Sequence, residues 1–146
     1  MDKTKSGDVR HLNSFLRGEI SAVETYNQAI KKLGAEPSLS SKLEGVRNSH
    51  QQRAELLKAE ISRLGGEPAE GSGVWGGFAK LTEGGAQMMG KQAAIAALEQ
   101  GEDHGRDDYR RDLGELSPES RKLVETRILP EQLRTHETVS QLKKQG

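Results

Sequence analysis

Two stretches decide the fold: LRGEISAVETY at residues 16–26 and LEQGEDHGRDDY at residues 98–109. In each, a Gly-Glu pair is followed by a tyrosine seven residues after the glutamate, Glu19 to Tyr26 and Glu102 to Tyr109. Seven residues are nearly two helical turns, so glutamate and tyrosine share a face about 10 Å apart along the axis. A tyrosine at that distance does not bond its own helix's glutamate and is placed to reach a group on a neighbouring helix. The same pattern in both halves predicts two similar helical units.

The flanking residues extend each unit into a hairpin. Leu12, Phe15, Leu16, Glu19, Val23, Tyr26, Ile30 and Leu33 recur at intervals of three and four, the period of one helix face. Asp8 is the expected cap of this helix, and Gly34 with Pro37 beyond it the expected end. A second stripe follows in Leu39, Leu43, Val46, His50, Arg53 or Ala54, Leu57, Ile61 and Leu64. Ser41 and Glu44 have capping-box spacing at its start, and Gly65-Gly66 and Pro68 close it. A short loop between two helices of such length makes them antiparallel neighbours. The third helix carries Met88, Ile95, Leu98, Glu102, Tyr109 and Leu113 and stops at Gly114. Ser117-Pro118, a capping residue before proline at the first helical position, opens the fourth. Its stripe is Leu123, Val124, Leu129, Leu133, His136, Val139 and Leu142, with Pro130 predicting a bend or break between Ile128 and Glu131.

The expected architecture is all-α: one four-helix-bundle domain over residues 1–146, made of two antiparallel hairpins. Its helices span about 8–33, 39–64, 86–113 and 118–144. The glycine-rich stretch 65–85 reads as a long crossover, with Trp75, Phe78 and Leu81 as anchors onto the core.

Composition narrows the function classes. The chain has no cysteine, so disulfides and thiolate metal sites are excluded. Its 22 basic and 22 acidic residues cancel and alternate in sign locally, which gives no electrostatic case for nucleic acid or an anionic membrane. The hydrophobic fraction of 32% predicts a thin core that a bound metal or homo-oligomerisation would reinforce. No apolar run approaches the roughly 18 residues of a membrane span. The N-terminal MDKTKSGDVR lacks the apolar segment of a signal peptide, so a cytoplasmic location is expected. The glycines lack the lysine-serine pattern of a phosphate loop. His11 and His104 are expected at the surface. Asp103, Asp107 and Asp108 with Arg106, Arg110 and Arg111 read as a mixed-charge solvated face.

The candidate chemistry lies at the bundle axis. Helices two and four each place one histidine on their inner stripe, in RNSHQQ (47–52) and LRTHET (133–138). Glu19, His50, Glu102 and His136 are therefore expected to face inward together. Carboxylate oxygens and neutral imidazole nitrogens suit iron, manganese or zinc, as one or two ions. Two carboxylates in apolar stripes need partners because a buried unpaired charge is expensive. The alternative is a metal-free polar layer in which Glu19 and Glu102 pair with Arg47, Arg53 or the histidines. In the first reading, removing a repulsive charge with Glu102→Gln stabilises the metal-free bundle.

The Glu-x6-Tyr pattern on helices one and three, the histidines on two and four and the long crossover resemble the ferritin-like superfamily, including rubrerythrin and bacterioferritin. The resemblance implies two metal ions held by one Glu from each of two helices and a Glu-x-x-His motif from each of the others. Glu19 and Glu102 match the single glutamates, His50 and His136 the histidines, and Glu99 resembles an additional helix-three carboxylate. Tyr26 and Tyr109 are then hydrogen-bonding partners of the ligands, with Arg47 beside them. The chain departs from the motif where Arg47 and Leu133 stand three residues before each histidine, in place of the bridging glutamates. Two functions follow as expectations. One is a metal-binding protein with a reduced Glu/His site, serving metal or oxidative-stress handling; the other is a non-catalytic helical scaffold or interaction protein that keeps the fold without metal.

Overall fold

A computed structural model describes residues 3–72 and 90–145. Among them are five α-helices: α1 (Lys3–Leu33), α2 (Pro37–Arg63), α3 (Lys91–Asp112), α4 (Pro118–Leu123) and α5 (Leu129–Gln145). A 3-10 turn at Leu113–Glu115 links α3 to the second hairpin's return, and a π-helical turn at Val124–Ile128 joins α4 to α5. The return α4–π–α5 acts as the fourth helix of an all-α bundle, and no strand occurs among the described residues.

The hairpins form where expected, but several signals do different work from the one expected. Asp8 lies within α1 and does not cap it; buried, it accepts bonds from the backbone N–H (3.0 Å) and hydroxyl of Ser117. It thereby ties the start of α1 to the start of α4. Pro37 occupies the first position of α2, where its missing N–H costs nothing, so Ser41 and Glu44 fall inside the helix rather than at its cap. The C-terminus of α2 is a Schellman motif: Gly65 adopts φ 84°, its N–H bonds Ser62 O, and the Gly66 N–H bonds Ile61 O. Gly66 also lies against Val9, so close that a Cβ there would stand 2.7 Å from the valine methyls.

Lys91 pairs with Glu36 at 2.9 Å beside the α1–α2 loop, whereas Gly66 packs near the N-terminal part of α1. Gly66 and Lys91 therefore lie at opposite ends of the bundle. Trp75, Phe78, Leu81 and Met88 lie outside the described residues.

Pro130 does not break the fourth helix. Its ring crowds the carbonyl of the preceding turn and it has no N–H to donate, and the turn just before it widens to the π form, with the Leu129 N–H bonded to Val124 O. The wider turn alters which residues face inward. Ser120, Val124, Ile128 and Gln132 are buried at a spacing of four, followed by Thr135, Val139 and Leu142. Leu133, expected on the inner stripe, is 38% exposed.

The core is split in two. One apolar cluster joins Tyr26, Leu33, Leu43, Val46, Ile95, Leu98 and Val139 near the α1–α2 loop. The other joins Leu12, Phe15, Leu16, Leu57, Ile61, Tyr109, Val124 and Ile128 at the opposite end. Between them lies a layer of buried polar and charged side chains from every long helix.

Candidate functional site

Periodicity brings Glu19 of α1 and Glu102 of α3 to the axis, and α2 contributes His50 and, one turn on, Arg53. All four are almost wholly excluded from solvent. His50 stands between the two carboxylates, with Nδ1 2.5 Å from Glu19 Oε1 and Nε2 2.7 Å from Glu102 Oε2. The tyrosines of the repeated pattern cross over as their spacing requires. Tyr26 donates to Glu102 Oε2 at 2.6 Å, and Tyr109 donates to Glu19 Oε2 at 2.5 Å. Those reciprocal bonds are met only when α1 and α3 run antiparallel at one register. The Tyr26 ring also stacks on His50, centroids 5.3 Å apart.

Helix four closes the layer with residues that its sequence did not single out. Gln132 Nε2 donates to the Glu102 carbonyl at 2.8 Å and to Glu102 Oε1 at 3.1 Å. The Thr135 hydroxyl donates to Glu102 Oε1 at 2.7 Å. Arg53, 1% exposed, donates to Gln132 Oε1 at 2.5 Å and to Thr135 Oγ1 at 3.0 Å, with Nη1 3.6 Å from Glu19 Oε2. A signal for Gln132 and Thr135 existed: with Val139 and Leu142 they recur at three, four and three. The apolar choices Leu129 and Leu133 masked it.

The charges offset one another. Burial alone would raise the Glu102 carboxyl, but the His50 charge and hydrogen bond, Arg53 and Tyr26 together hold it at about 2. Glu19 is lowered likewise, burial being outweighed by Arg53, His50 and Tyr109. Burial and Arg53 push His50 down, and the two carboxylates overcome them and raise it. Both tyrosines are raised well above their usual range, first by burial and then by the carboxylate each one bonds, so they remain neutral donors. With His50 protonated, two carboxylates, one guanidinium and one imidazolium make a neutral layer.

His136 does not join it. Its Nε2 lies 2.5 Å from Asp103 on a half-buried flank beside Arg106. Arg47 also faces outward, bonding Asn27 and Asn48. Glu99 pairs with Ser140 and Lys143 near the surface. Of the candidate ligands, Glu19, His50 and Glu102 converge, and His136 and Glu99 stand apart.

The three that converge do not form an open metal cage. Both His50 nitrogens are taken by carboxylates, and a fixed cation already lies beside Glu19. Among the described residues the one buried side-chain polar atom without a partner is Arg121 Nε, which is not part of the layer. No group of three or more His, Asp or Glu among the described residues is arranged to hold an ion. A cavity of about 10 Å³, room for about one water, adjoins the layer between α1 and α3. Its lining includes Phe15, Gly18, Gly101 and Gly105 together with Glu19, His50, Tyr109 and Gln132 of the layer. A Cβ at Gly105 would stand 3.1 Å from Gln132 Nε2, so glycine there leaves space for the glutamine that bonds Glu102.

Residues 8–115 match the model of a family described as a domain of unknown function, DUF2383. The chain belongs to the DUF2383 family. The match spans Glu19, Tyr26, His50, Arg53, Glu102 and Tyr109 and ends before Gln132 and Thr135. No curated protein and no solved structure matches this DUF2383 chain. No helix among its described residues is long and apolar enough to cross a membrane.

Proposed function

We propose that this chain is a ferritin-like bundle in which a permanent ion layer stands in place of a metal centre, serving as a non-catalytic helical scaffold or interaction protein. The observation that carries this reading is Arg53, a buried guanidinium in the layer. In dimetal carboxylate bundles, two helices supply one Glu each and two supply an inward Glu-x-x-His pair. The inward pairs at that spacing here are His50 with Arg53 and Gln132 with Thr135. His50 and Gln132 thus stand for the glutamates, Arg53 and Thr135 for the histidines. The substitutions remove ligands from both helices and add a positive charge, which disfavours a second cation.

Such a layer costs desolvation, and a hydrophobic layer of equal volume is often no less stable. Its benefit is specificity: reciprocal Glu–Tyr bonds and the Arg53 fork are satisfied at one rotation and one height of the four helices. That is a scaffold's requirement, a fixed outer surface. Elemental analysis of protein purified without chelator, then exposed aerobically to Fe(II) or to Zn(II), tests the reading. The expected result is far less than one equivalent of metal and no shift of the melting temperature. One or more equivalents lost in Glu19→Ala, but retained in His136→Ala, would overturn it and restore a metal-handling role.

A further inference from the structure

The Arg53 guanidinium is enclosed by oxygen. Nη1 donates to Gln132 Oε1 at 2.5 Å and faces Glu19 Oε2 at 3.6 Å, and Nη2 donates to Thr135 Oγ1 at 3.0 Å. The Thr135 hydroxyl passes its own proton to Glu102 Oε1 at 2.7 Å, linking the second carboxylate to the same point. Nε lies 3.4 Å from the Ser49 carbonyl. Side-chain oxygens from α1 and α5, one of them ionised and another hydrogen-bonded to an ionised group, form the coordination chemistry of a hard divalent cation such as Mn(II) or Mg(II). Here they surround an organic cation instead.

We propose that Arg53 is the resident cation of an oxygen-lined cation site: its side chain excludes divalent ions from the natural chain, and shortening it makes the same oxygens a site for a hard divalent cation. This inference rests on the metal-free reading of the natural protein. Charge points the same way. Arg53 places a guanidinium 3.6 Å from Glu19 and, through Thr135, one hydrogen bond from Glu102; truncating it removes a positive charge that a divalent ion beside the same carboxylates would replace. Space does as well. Truncation at Cβ empties the space the guanidinium fills between Glu19, Gln132 and Thr135, next to two residues, Glu19 and Gln132, that also line the cavity of about 10 Å³. The donors are pre-oriented: Tyr109 holds Glu19, and Thr135 is held between Arg53 and Glu102.

The test uses the full chain as wild type, Arg53→Ala, Arg53→Lys and the double variant Arg53→Ala/Glu19→Gln. Mn(II) binding is followed by equilibrium dialysis and by loss of the free-ion electron paramagnetic resonance signal, with melting temperature measured in chelator and in Mn(II). Arg53→Ala is expected to bind one Mn(II) per chain and to melt higher with it, while wild type, Arg53→Lys and the double variant bind none. Should Arg53→Ala be unfolded in chelator, Mn(II) must restore its helical circular dichroism; failure to do so overturns the proposal. So does a folded Arg53→Ala that leaves Mn(II) free, or a double variant that binds as well as the single one. Mn(II) bound by wild type and lost in Glu19→Ala overturns the metal-free reading itself, a result distinct from failure of the variants alone.

Discussion

Replacing Glu102 by glutamine keeps the side chain's size and removes its charge, and it separates the two accounts of the buried carboxylates by sign. Were Glu102 an uncompensated ligand awaiting metal, losing the charge would stabilise the metal-free protein. The structure predicts the reverse. Glu102 accepts bonds from His50, Tyr26, Thr135 and Gln132, and glutamine presents an NH2 to at least one pair of those donors. It also leaves Arg53 and His50 facing Glu19 alone, an excess positive charge in a layer closed to water. Removing one partner of a buried ionic network costs roughly 3–5 kcal/mol, a large part of the roughly 5–15 kcal/mol that holds a domain together. Part of that is recovered when His50 loses its proton, so about 3 kcal/mol is the expected loss near pH 6. For a chain of this size each kcal/mol moves the melting temperature by about 3–4 °C, giving a fall of about 10 °C. Urea unfolding followed at 222 nm in chelator measures it directly. An unchanged or raised midpoint would refute the compensated layer.

Stability should also vary with pH in a defined window. Glu102 falls from 4.5 to about 2, so its contribution of about 3 kcal/mol is present above pH 4.5 and lost as the solution is acidified towards 2. His50 is raised from 6.5, so its contribution is complete below pH 6.5 and lost as the pH rises through its folded value. The expected profile is a plateau between about 4.5 and 6.5, and His50→Gln should flatten its alkaline limb; an alkaline limb unchanged in that variant would remove His50 from the network. Gly65→Ala, at φ 84°, forces a side chain into the left-handed region and should cost about 1 kcal/mol in chemical denaturation. A neutral result there would mean that the Schellman end of α2 rearranges.

Much of the fold was legible because helical period is a local property. Stripes at three and four, Pro37 after Gly34, Gly65-Gly66 and Ser117-Pro118 each report on a few adjacent residues, and the hairpins follow from them. The repeated Glu-x6-Tyr pattern reached further: its seven-residue spacing required tyrosines to bond across helices, and Tyr26 to Glu102 and Tyr109 to Glu19 do so. Where local signals had several acceptable uses, the outcome lay in the packing. Asp8 could cap its own helix or the start of α4, and the buried approach of Ser117 selected the second.

The composition of the layer belongs to the tertiary structure. One added residue per turn rotates everything beyond it by about 100°, and the π turn at Val124–Ile128 supplies it. That rotation brings Gln132 into line with Ser120 and Val124; Thr135 is buried beside it while Leu133 and His136 are not, although all four fit a helical stripe in sequence. Arg53 is the same lesson on α2. The stripe left open whether Arg53 or Ala54 faced inward, and Gln132 and Thr135, distant in the chain, supply acceptors for the two terminal nitrogens of the buried guanidinium, beside Ser49 O at Nε. By itself the sequence determined a bundle with two glutamates and two tyrosines at its centre. That Arg53 could be buried beside them was decided by the packing of the fourth helix.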